Sequence, residues 1–394
     1  MSANDPIVIA AALRTPMGGF GGSLSSVPAP KLASSVLNAI VTNSSLTVDQ
    51  VDEVILGCVL PAGVGQAPAR QAAIEAGLDK STVCTTINKV CGSGMKAVMM
   101  AHDAIIAGSA NVVIAGGMES MSLSPYMLPK ARTGMRMGHG EVKDHMFLDG
   151  LEDAYSGKAM GTFAQQTADA NGFSREQMDE FAITSLSRAN EAIASGAFAA
   201  EITPVIIESR KGQVVVDTDE QPGNARVDKI PSLRPAFAKD GTITAANASS
   251  ISDGASALLV MKQSEAQAKG LVPLAKIVAH ATHAQLPSEF TIAPVGAMNK
   301  VLEKAAWQVG DVDLFEINEA FAMVTMLGMQ ALNIDHDKVN VNGGACALGH
   351  PLGSSGSRIL VTLIHALKQR QLSKGVASLC IGGGEATAIA IEIC

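Results

Sequence analysis

The chain reads as an α/β protein built from a duplicated unit, and three observations predict it. Short apolar runs rich in β-branched residues alternate with helical patterns; one set of motifs recurs in the same order in both parts of the chain; and a long stretch between the copies breaks the rhythm. At 394 residues the chain exceeds what one hydrophobic core usually holds, which suits two packed copies. The composition is 47% hydrophobic and 17% charged, yet no apolar run reaches the roughly eighteen residues of a membrane span. Aromatics contribute only 3%, whereas 38 Gly and 18 Met supply the small and adaptable side chains of close-packed α/β layers. A formal charge of −8 argues against a nucleic-acid surface, where a basic stripe would have to neutralise phosphates.

Strands are predicted at Ile7-Val-Ile-Ala-Ala, Val54-Ile-Leu-Gly and Asn111-Val-Val-Ile-Ala-Gly-Gly, separated by helical patterns. The second part repeats the first. Val51-Asp-Glu-Val-Ile-Leu-Gly matches Val312-Asp-Leu-Phe-Glu-Ile-Asn; Gly92-Ser-Gly-Met, opening a helix, matches Gly353-Ser-Ser-Gly; and Val113-Ile-Ala-Gly-Gly-Met-Glu matches Cys380-Ile-Gly-Gly-Gly-Glu. Val51 precedes Cys91 by 40 positions and Val312 precedes His350 by 38, so the two most reactive residues occupy nearly the same station of each copy. Packing about a pseudo-twofold would bring corresponding loops to one crevice, with Cys91 facing His350. The expected division is 1–117 with 248–272 as the N-terminal core half, 118–247 as an inserted loop domain covering the substrate, and 273–394 as the C-terminal core half. The insertion holds one clear helix, from the capping box Ser174-Arg-Glu-Gln177, with Met178, Phe181, Ala182, Ala189 and Ile193 on one face, to a stop at Gly196. The plainer alternative for the insertion is a surface elaboration.

Cys91 stands where a β-like run turns through Gly92 and Gly94 into a helix ending before Gly108. A helix N-terminus favours thiolate through its dipole and free N–H groups, and a free thiol near pKa 8.5 needs such help as a nucleophile; a buried structural cysteine is the bland alternative. His350 lies in a run with five glycines, which suggests backbone bent close to a ligand, although a lone loop histidine is more often surface decoration. Cys380 follows an apolar strand and precedes three glycines, so two thiols and an imidazole at one crevice suggest a metal site, a redox pair or a nucleophile with a separate acid/base. The chain has no other paired ligands, which favours the last. The Asn318 amide ends a strand and is able to orient water or donate to an oxyanion, or simply to cap a helix. The six cysteines, Cys58, Cys84, Cys91, Cys346, Cys380 and Cys394, lack metal-like spacing and point to a reducing compartment. Met1 to Ala10 carries no leader pattern, so the expected localisation is cytoplasmic.

With Cys-Gly-Ser-Gly at Cys91, Asn-Glu-Ala-Phe at Asn318, Gly-His-Pro-Leu-Gly at His350 and Cys-Ile-Gly-Gly-Gly at Cys380, the sequence resembles the thiolase family from about Pro6 to the C-terminus. The resemblance implies duplicated βαβαβαββ halves layered α-β-α-β-α with the inserted loop domain. It also implies an acetyl-CoA C-acetyltransferase activity: reversible Claisen condensation of two acetyl-CoA to acetoacetyl-CoA and CoA, or the reverse thiolysis. Cys91 would be acylated with His350 as its base, and Cys380 would move the α-proton of the second acetyl-CoA. His350 and a water held by Asn318 would form one oxyanion hole, and the N–H groups of Cys91 and Gly382 the other.

The same resemblance makes Ser249 a pantetheine contact and sets Leu151, Met160, Phe237, Ala245, Phe290, Ala320 and Phe321 along the CoA tunnel; read by themselves these are ordinary core residues. It implies coenzyme A thioesters as substrates, no tightly bound cofactor, no metal, no nucleic-acid or membrane partner, a role in fatty acid metabolism, and a homotetramer built as a dimer of dimers. Five positions depart from the family pattern. Ala159 replaces a histidine before Met-Gly-Thr, Gly223 an arginine near the CoA nucleotide, Cys346 an isoleucine and Ser354 an alanine, and Phe290 stands where methionine is common. Arg226 or Lys229 substitutes for the missing arginine, or that contact is absent. Competing readings are a 3-ketoacyl-CoA thiolase of broader chain length, a decarboxylating ketosynthase, which generally needs two histidines, and a CoA-binding protein without catalysis.

Overall fold

The computed structural model describes residues 5–210 and 212–394; residues 1–4, which belong to the leader reading, and Lys211 lie outside the described residues. Nine strands carry the core: β1 (Ile7–Arg14), β2 (Glu53–Gly57), β3 (Val83–Ile87), β4 (Val112–Ser120), β5 (Ser252–Lys262), β6 (Ala275–Ala284), β7 (Leu314–Ile317), β8 (Lys374–Ile381) and β9 (Glu385–Ile393). Their hydrogen-bonded order is β7-β8-β9-β6-β1-β5-β4-β2-β3. Read outward from the middle, β1, β5, β4 and β2 correspond to β6, β9, β8 and β7, which is the duplication seen in space. The two halves of the sheet meet through only two residue pairs, Val8 with Lys276 and Ile9 with Ala275. In the second copy the counterpart of β3 shrinks to a single parallel bridge between Phe315 and Val339.

Helices fill three layers. Residues of α1 (Ala29–Asn43) pack on the outer face of the first half-sheet through Leu32, Val36, Leu37 and Ile40. Those of α5 (Ala293–Ala305) cover the second through Ala297, Met298 and Val301, and α6 (Ala322–Leu332) follows β7. Between them, α2 (Ser93–Ala107) and α7 (Leu352–Gln369) share one core with both half-sheets: Met95 and Val98 meet Leu360 and Ile364 alongside Ile55, Leu258, Leu379 and Ile389. This is the expected α-β-α-β-α layering. Covered on both faces, β5 and β8 are buried along nearly their whole length instead of alternating between core and solvent. The middle helices approach so closely that a Cβ on Gly356 would lie 2.6 Å from the backbone nitrogen of Met95, which is why glycine stands there.

The register of the ladders corrects one sequence match. Glu53 pairs with Val113 across β2 and β4, and Leu314 with Gly375 across β7 and β8. With Val51 equivalent to Val312, Cys380 falls at the station of Met118, five places further along than the match to Val113 suggested. Glycine-rich similarity at two strand ends had drawn the alignment out of register. The helix starts shift the match of Gly92 to Gly353 by two positions: Gly92 and Pro351 are the equivalent N-caps, so Gly353 answers Gly94, and Cys91 and His350 each stand one residue before the caps.

Between β4 and β5 no strand among the described residues joins the main sheet; the short strands there pair with one another. The anticipated helix α4 (Arg175–Ser195) begins at Ser174 with the full capping box and ends on left-handed Gly196, with Met178, Phe181, Ala182 and Ala189 buried. A further helix, α3 (Met160–Ala170), was not anticipated; it begins at Ala159 without a side-chain cap, so the sequence carries no start signal. No helix among the described residues is long and apolar enough to cross a membrane.

Candidate active site

Cys91 rides on a tight turn. Val90 just before it has φ of +46°, a conformation costly for a β-branched residue, and residues held this way concentrate at functional sites. The turn is fixed from several sides: the Val90 N–H donates to Asn88 Oδ1 at 2.8 Å, the Lys89 N–H to Ser93 Oγ at 2.8 Å, and the Ser93 hydroxyl to the Val90 carbonyl at 2.7 Å. Lys89 also pairs with Glu385 at the start of β9, joining the turn to the other half. The thiol receives the backbone N–H groups of Gly382 and of Cys91 itself. Burial nonetheless outweighs these donors and pushes the Cys91 pKa up to about 11, so the resting group is a thiol. The expectation that the helix N-terminus would make it a ready thiolate is therefore corrected: a base must take its proton.

His350 is no surface decoration, being 6% exposed. Gly349 at φ of +105° turns the chain into place where a Cβ would collide with Ser252. His350 Nδ1 lies 2.5 Å from Ser355 Oγ, and the single Ser355 hydroxyl proton goes to the Pro351 carbonyl at 2.8 Å. Ser355 must then accept, so Nδ1 carries the imidazole proton and Nε2, which has no protein partner, keeps a free lone pair. Burial, with the nearby Arg358 charge, lowers the histidine to about 3 and keeps it neutral.

One apolar cavity of about 390 Å³ collects Cys91, His350, Cys380 and Gly382 with Leu151, Met160, Phe237, Ala245, Ser249, Phe290, Ala320 and Phe321. Every anticipated site residue except Asn318 lines it, and no lining residue carries a formal charge. Its aromatic wall is built edge to face: Phe237 and Phe290 lie 6.0 and 6.5 Å from the Phe321 ring. The Ser249 hydroxyl donates to the Ala320 carbonyl at 3.0 Å, which leaves its lone pairs as acceptors. Ala159, Phe147 and Leu352 complete the wall. The cavity contains a single imidazole, unlike the pair a decarboxylating ketosynthase needs.

Asn318 lies behind this wall at the end of β7, 1% exposed, with both amide atoms unpartnered. It caps no helix. An unpaired buried amide costs about 1–3 kcal/mol per group, an expense typical of a position held for a ligand or water. Cys380 is also buried, and burial raises its pKa well above the ordinary thiol value, with the neighbouring Cys91 adding to the shift. Arg226 and Lys229 do not line the cavity; both reach Asp228 instead, at 3.4 and 3.7 Å.

A family model described as the thiolase N-terminal domain matches residues 7–264, and one described as the thiolase C-terminal domain matches residues 271–393. The chain belongs to the thiolase family. It is 49% identical to an acetyl-CoA acetyltransferase of Pseudomonas aeruginosa over 98% of each chain, and 50% identical to one of Cupriavidus necator over 98% of this chain and 99% of that one. A crystal structure of the Bacillus anthracis acetyl-CoA acetyltransferase superposes with a TM-score of 0.96 at 43% identity over 99% of both chains.

Three residues of this thiolase that support the site escaped the sequence reading. Glu119, fully buried, accepts the N–H groups of Val59, Leu60 and Gly353 at 2.9 to 3.1 Å, so one carboxylate ties the start of α7 to the loop beside Cys91. Burial pushes it up to about 7 against those donors. Glu319, next to Asn318, accepts from Asn340, Ser185 and the Cys346 N–H at 2.8 to 3.0 Å. Ser355 orients the histidine. An acid ending an otherwise apolar strand, as in Ile-Ala-Gly-Gly-Met-Glu119, was the available signal; a serine in a serine-rich helix gives none.

Proposed function

We propose that this thiolase is an acetyl-CoA C-acetyltransferase that condenses two acetyl-CoA to acetoacetyl-CoA and cleaves the product with CoA. The observation that carries the reading is the convergence of Cys91, Cys380, Gly382 and a lone-pair-bearing His350 on one uncharged cavity. Its geometry supports the following division of labour. Nε2 of His350 takes the Cys91 proton as sulfur attacks the acetyl thioester carbon. The N–H groups of Gly382 and Cys91 stabilise the oxyanion, and collapse expels the CoA thiolate, which takes the Cys380 proton, so that Cys380 becomes a thiolate while His350 stays protonated. In the second half Cys380, as thiolate, removes an α-proton from another acetyl-CoA. A strongly basic thiolate suits so weak a carbon acid, and burial raises its basicity. The carbanion attacks the acetyl carbon of acetyl-Cys91 and expels the Cys91 thiolate, which regains its proton from His350. His350 and a water on Asn318 hold the second thioester oxygen, and the apolar wall with Ser249 takes the pantetheine arm.

The proposed organisation keeps 1–117 with 248–272 and 273–394 as the core halves and 118–247 as the cover, supported by the absence of main-sheet strands among the described residues between β4 and β5. Substrates are acyl-CoA and CoA, with no tightly bound cofactor. A cytoplasmic setting is supported by six unpaired cysteines, and a role in fatty acid metabolism by the proposed acyl-CoA substrates. A homotetramer is supported by exposed apolar side chains between Tyr126 and Val142, among them Met137 at 98% exposure.

Ala159 in the cavity wall favours broader chain length as a second reading, since a small residue stands where relatives carry imidazole. Each extra methylene that finds apolar cover is worth about 0.8 kcal/mol. Thiolysis across a ladder of 3-ketoacyl-CoA lengths tests both readings. Acetoacetyl-CoA should be cleaved, the six-carbon homologue cleaved measurably, and Ala159→His should shift preference back to four carbons. Absence of thiolysis at every length would refute the assignment; rejection of six carbons with an unchanged Ala159→His profile would place the limiting wall at Phe290.

A further inference from the structure

Far from the cavity, the last turns of α2 meet the middle of β6. There His102, Asp103 and His280 turn three ligand atoms to one point: His102 Nδ1 to Asp103 Oδ1 is 3.0 Å, His280 Nε2 to Asp103 Oδ1 is 2.9 Å, and the two ring nitrogens are 3.3 Å apart. The rings stand edge to face, 4.9 Å between centroids at 83°. Three lone-pair-bearing atoms share this corner with at most two protons, one from each neutral imidazole, so hydrogen bonding satisfies at most two of the three contacts at once. A single cation satisfies all three. Ligands about 2.0–2.1 Å from one metal lie about 3.0 Å apart at cis octahedral positions and about 3.4 Å apart on a tetrahedron, which brackets the observed triangle.

The geometry points to a divalent transition-metal site on this triad, selective for zinc-like ions over magnesium or calcium because two of its three donors are imidazoles. Burial lowers the His280 pKa, favouring the neutral ligand form. Against partial burial, the two histidines hold Asp103 below the usual carboxylate range, so it is anionic. Lys304, whose charge reaches this corner, donates to the His280 carbonyl at 3.0 Å and not to the ring nitrogens. The histidine side chains are 21% and 17% exposed and Asp103 is 56% exposed, so an ion would be gripped from the protein side and completed by water. On binding, each imidazole keeps its one proton on the outward nitrogen, and none is lost overall. Because α2 belongs to the first copy and β6 to the second, the ion would pin the two halves together. His102 lies eleven residues beyond Cys91, about 16 Å along the helix, so the role is structural and not catalytic.

The test uses the full chain, stripped with chelator, in a Cys91→Ser/Cys380→Ser background so that cavity thiols do not compete. Equilibrium dialysis against micromolar zinc should give one ion per chain, and His280→Ala and Asp103→Asn should each weaken binding by at least about tenfold. The melting temperature should rise with zinc in the parent and stay flat in His280→Ala, whose circular dichroism and, in the otherwise wild-type chain, metal-free thiolysis should be unchanged. Cobalt at the site should give a visible spectrum without sulfur charge-transfer absorption. Zinc bound equally well by both variants, or no stoichiometric binding by the parent, would overturn the proposal.

Discussion

Ser355 decides which nitrogen of His350 faces the cavity. Its hydroxyl proton is committed to the Pro351 carbonyl, so it must accept from Nδ1, and Nε2 is left with the free lone pair that the proposed role as base for the neutral Cys91 thiol requires. Ser355→Ala is expected to lower kcat for thiolysis by about five- to tenfold, near the worth of one neutral hydrogen bond of about 1 kcal/mol, with KM unchanged and Ser355→Thr restoring the rate. Steady-state kinetics check this, and an unchanged kcat would show that His350 is oriented otherwise. The convergence of Cys91, His350 and Cys380 on one cavity was legible because rare reactive residues beside glycines stand out in a sequence. Protonation was not. The helix-dipole argument pointed Cys91 downward, whereas burial, which depends on every neighbouring element, sends it upward.

A buried charge cluster ties elements of both halves to the insertion. Arg14 of β1 reaches Glu201 at 2.5 Å and Asp219 at 2.7 Å, while Glu316 of β7 faces Arg358 of α7 at 3.8 Å. Burial pushes Glu316 up to about 8 despite Arg358, so its protonated form belongs to the folded state at neutral pH. A raised carboxyl pKa contributes stability that is present below the ordinary 4.5 and lost as pH rises through 8. Glu316→Gln fixes the neutral form and removes that slope. The melting temperature of Glu316→Gln relative to wild type is therefore expected to climb between pH 4.5 and 8; a difference constant across that range would contradict the assignment. The chain announced α2 and α4 through Gly108, Gly196 and the Ser174 capping box, signals that act locally. It did not announce α3, which has no side-chain cap, nor the ladder register of Cys380, which only cross-strand pairing sets.

At the scale of the molecule, duplication explains why chemistry gathers where it does. Equivalent helices α2 and α7 run through the central layer with their N-termini carrying Cys91 and His350 to one end, and the β8–β9 turn brings Cys380 and Gly382 to the same place. That plan was legible from the repeated motifs; the shrunken counterpart of β3 was not, because a lone bridge at Val339 leaves no sequence pattern. Exposed Tyr126, Leu128, Met137 and Val142 form a surface that closed symmetry would cover. Light scattering at micromolar concentration should return a tetramer, and a monomer would remove that proposal. The division of labour between the two thiols is tested most directly by incubating wild type and Cys380→Ser with acetyl-CoA and mapping the modified peptide by mass spectrometry. One acetyl group should sit on Cys91 in both proteins, with condensation largely lost in the variant; an acetyl group on Cys380 in the wild type, or none on Cys91, would contradict it.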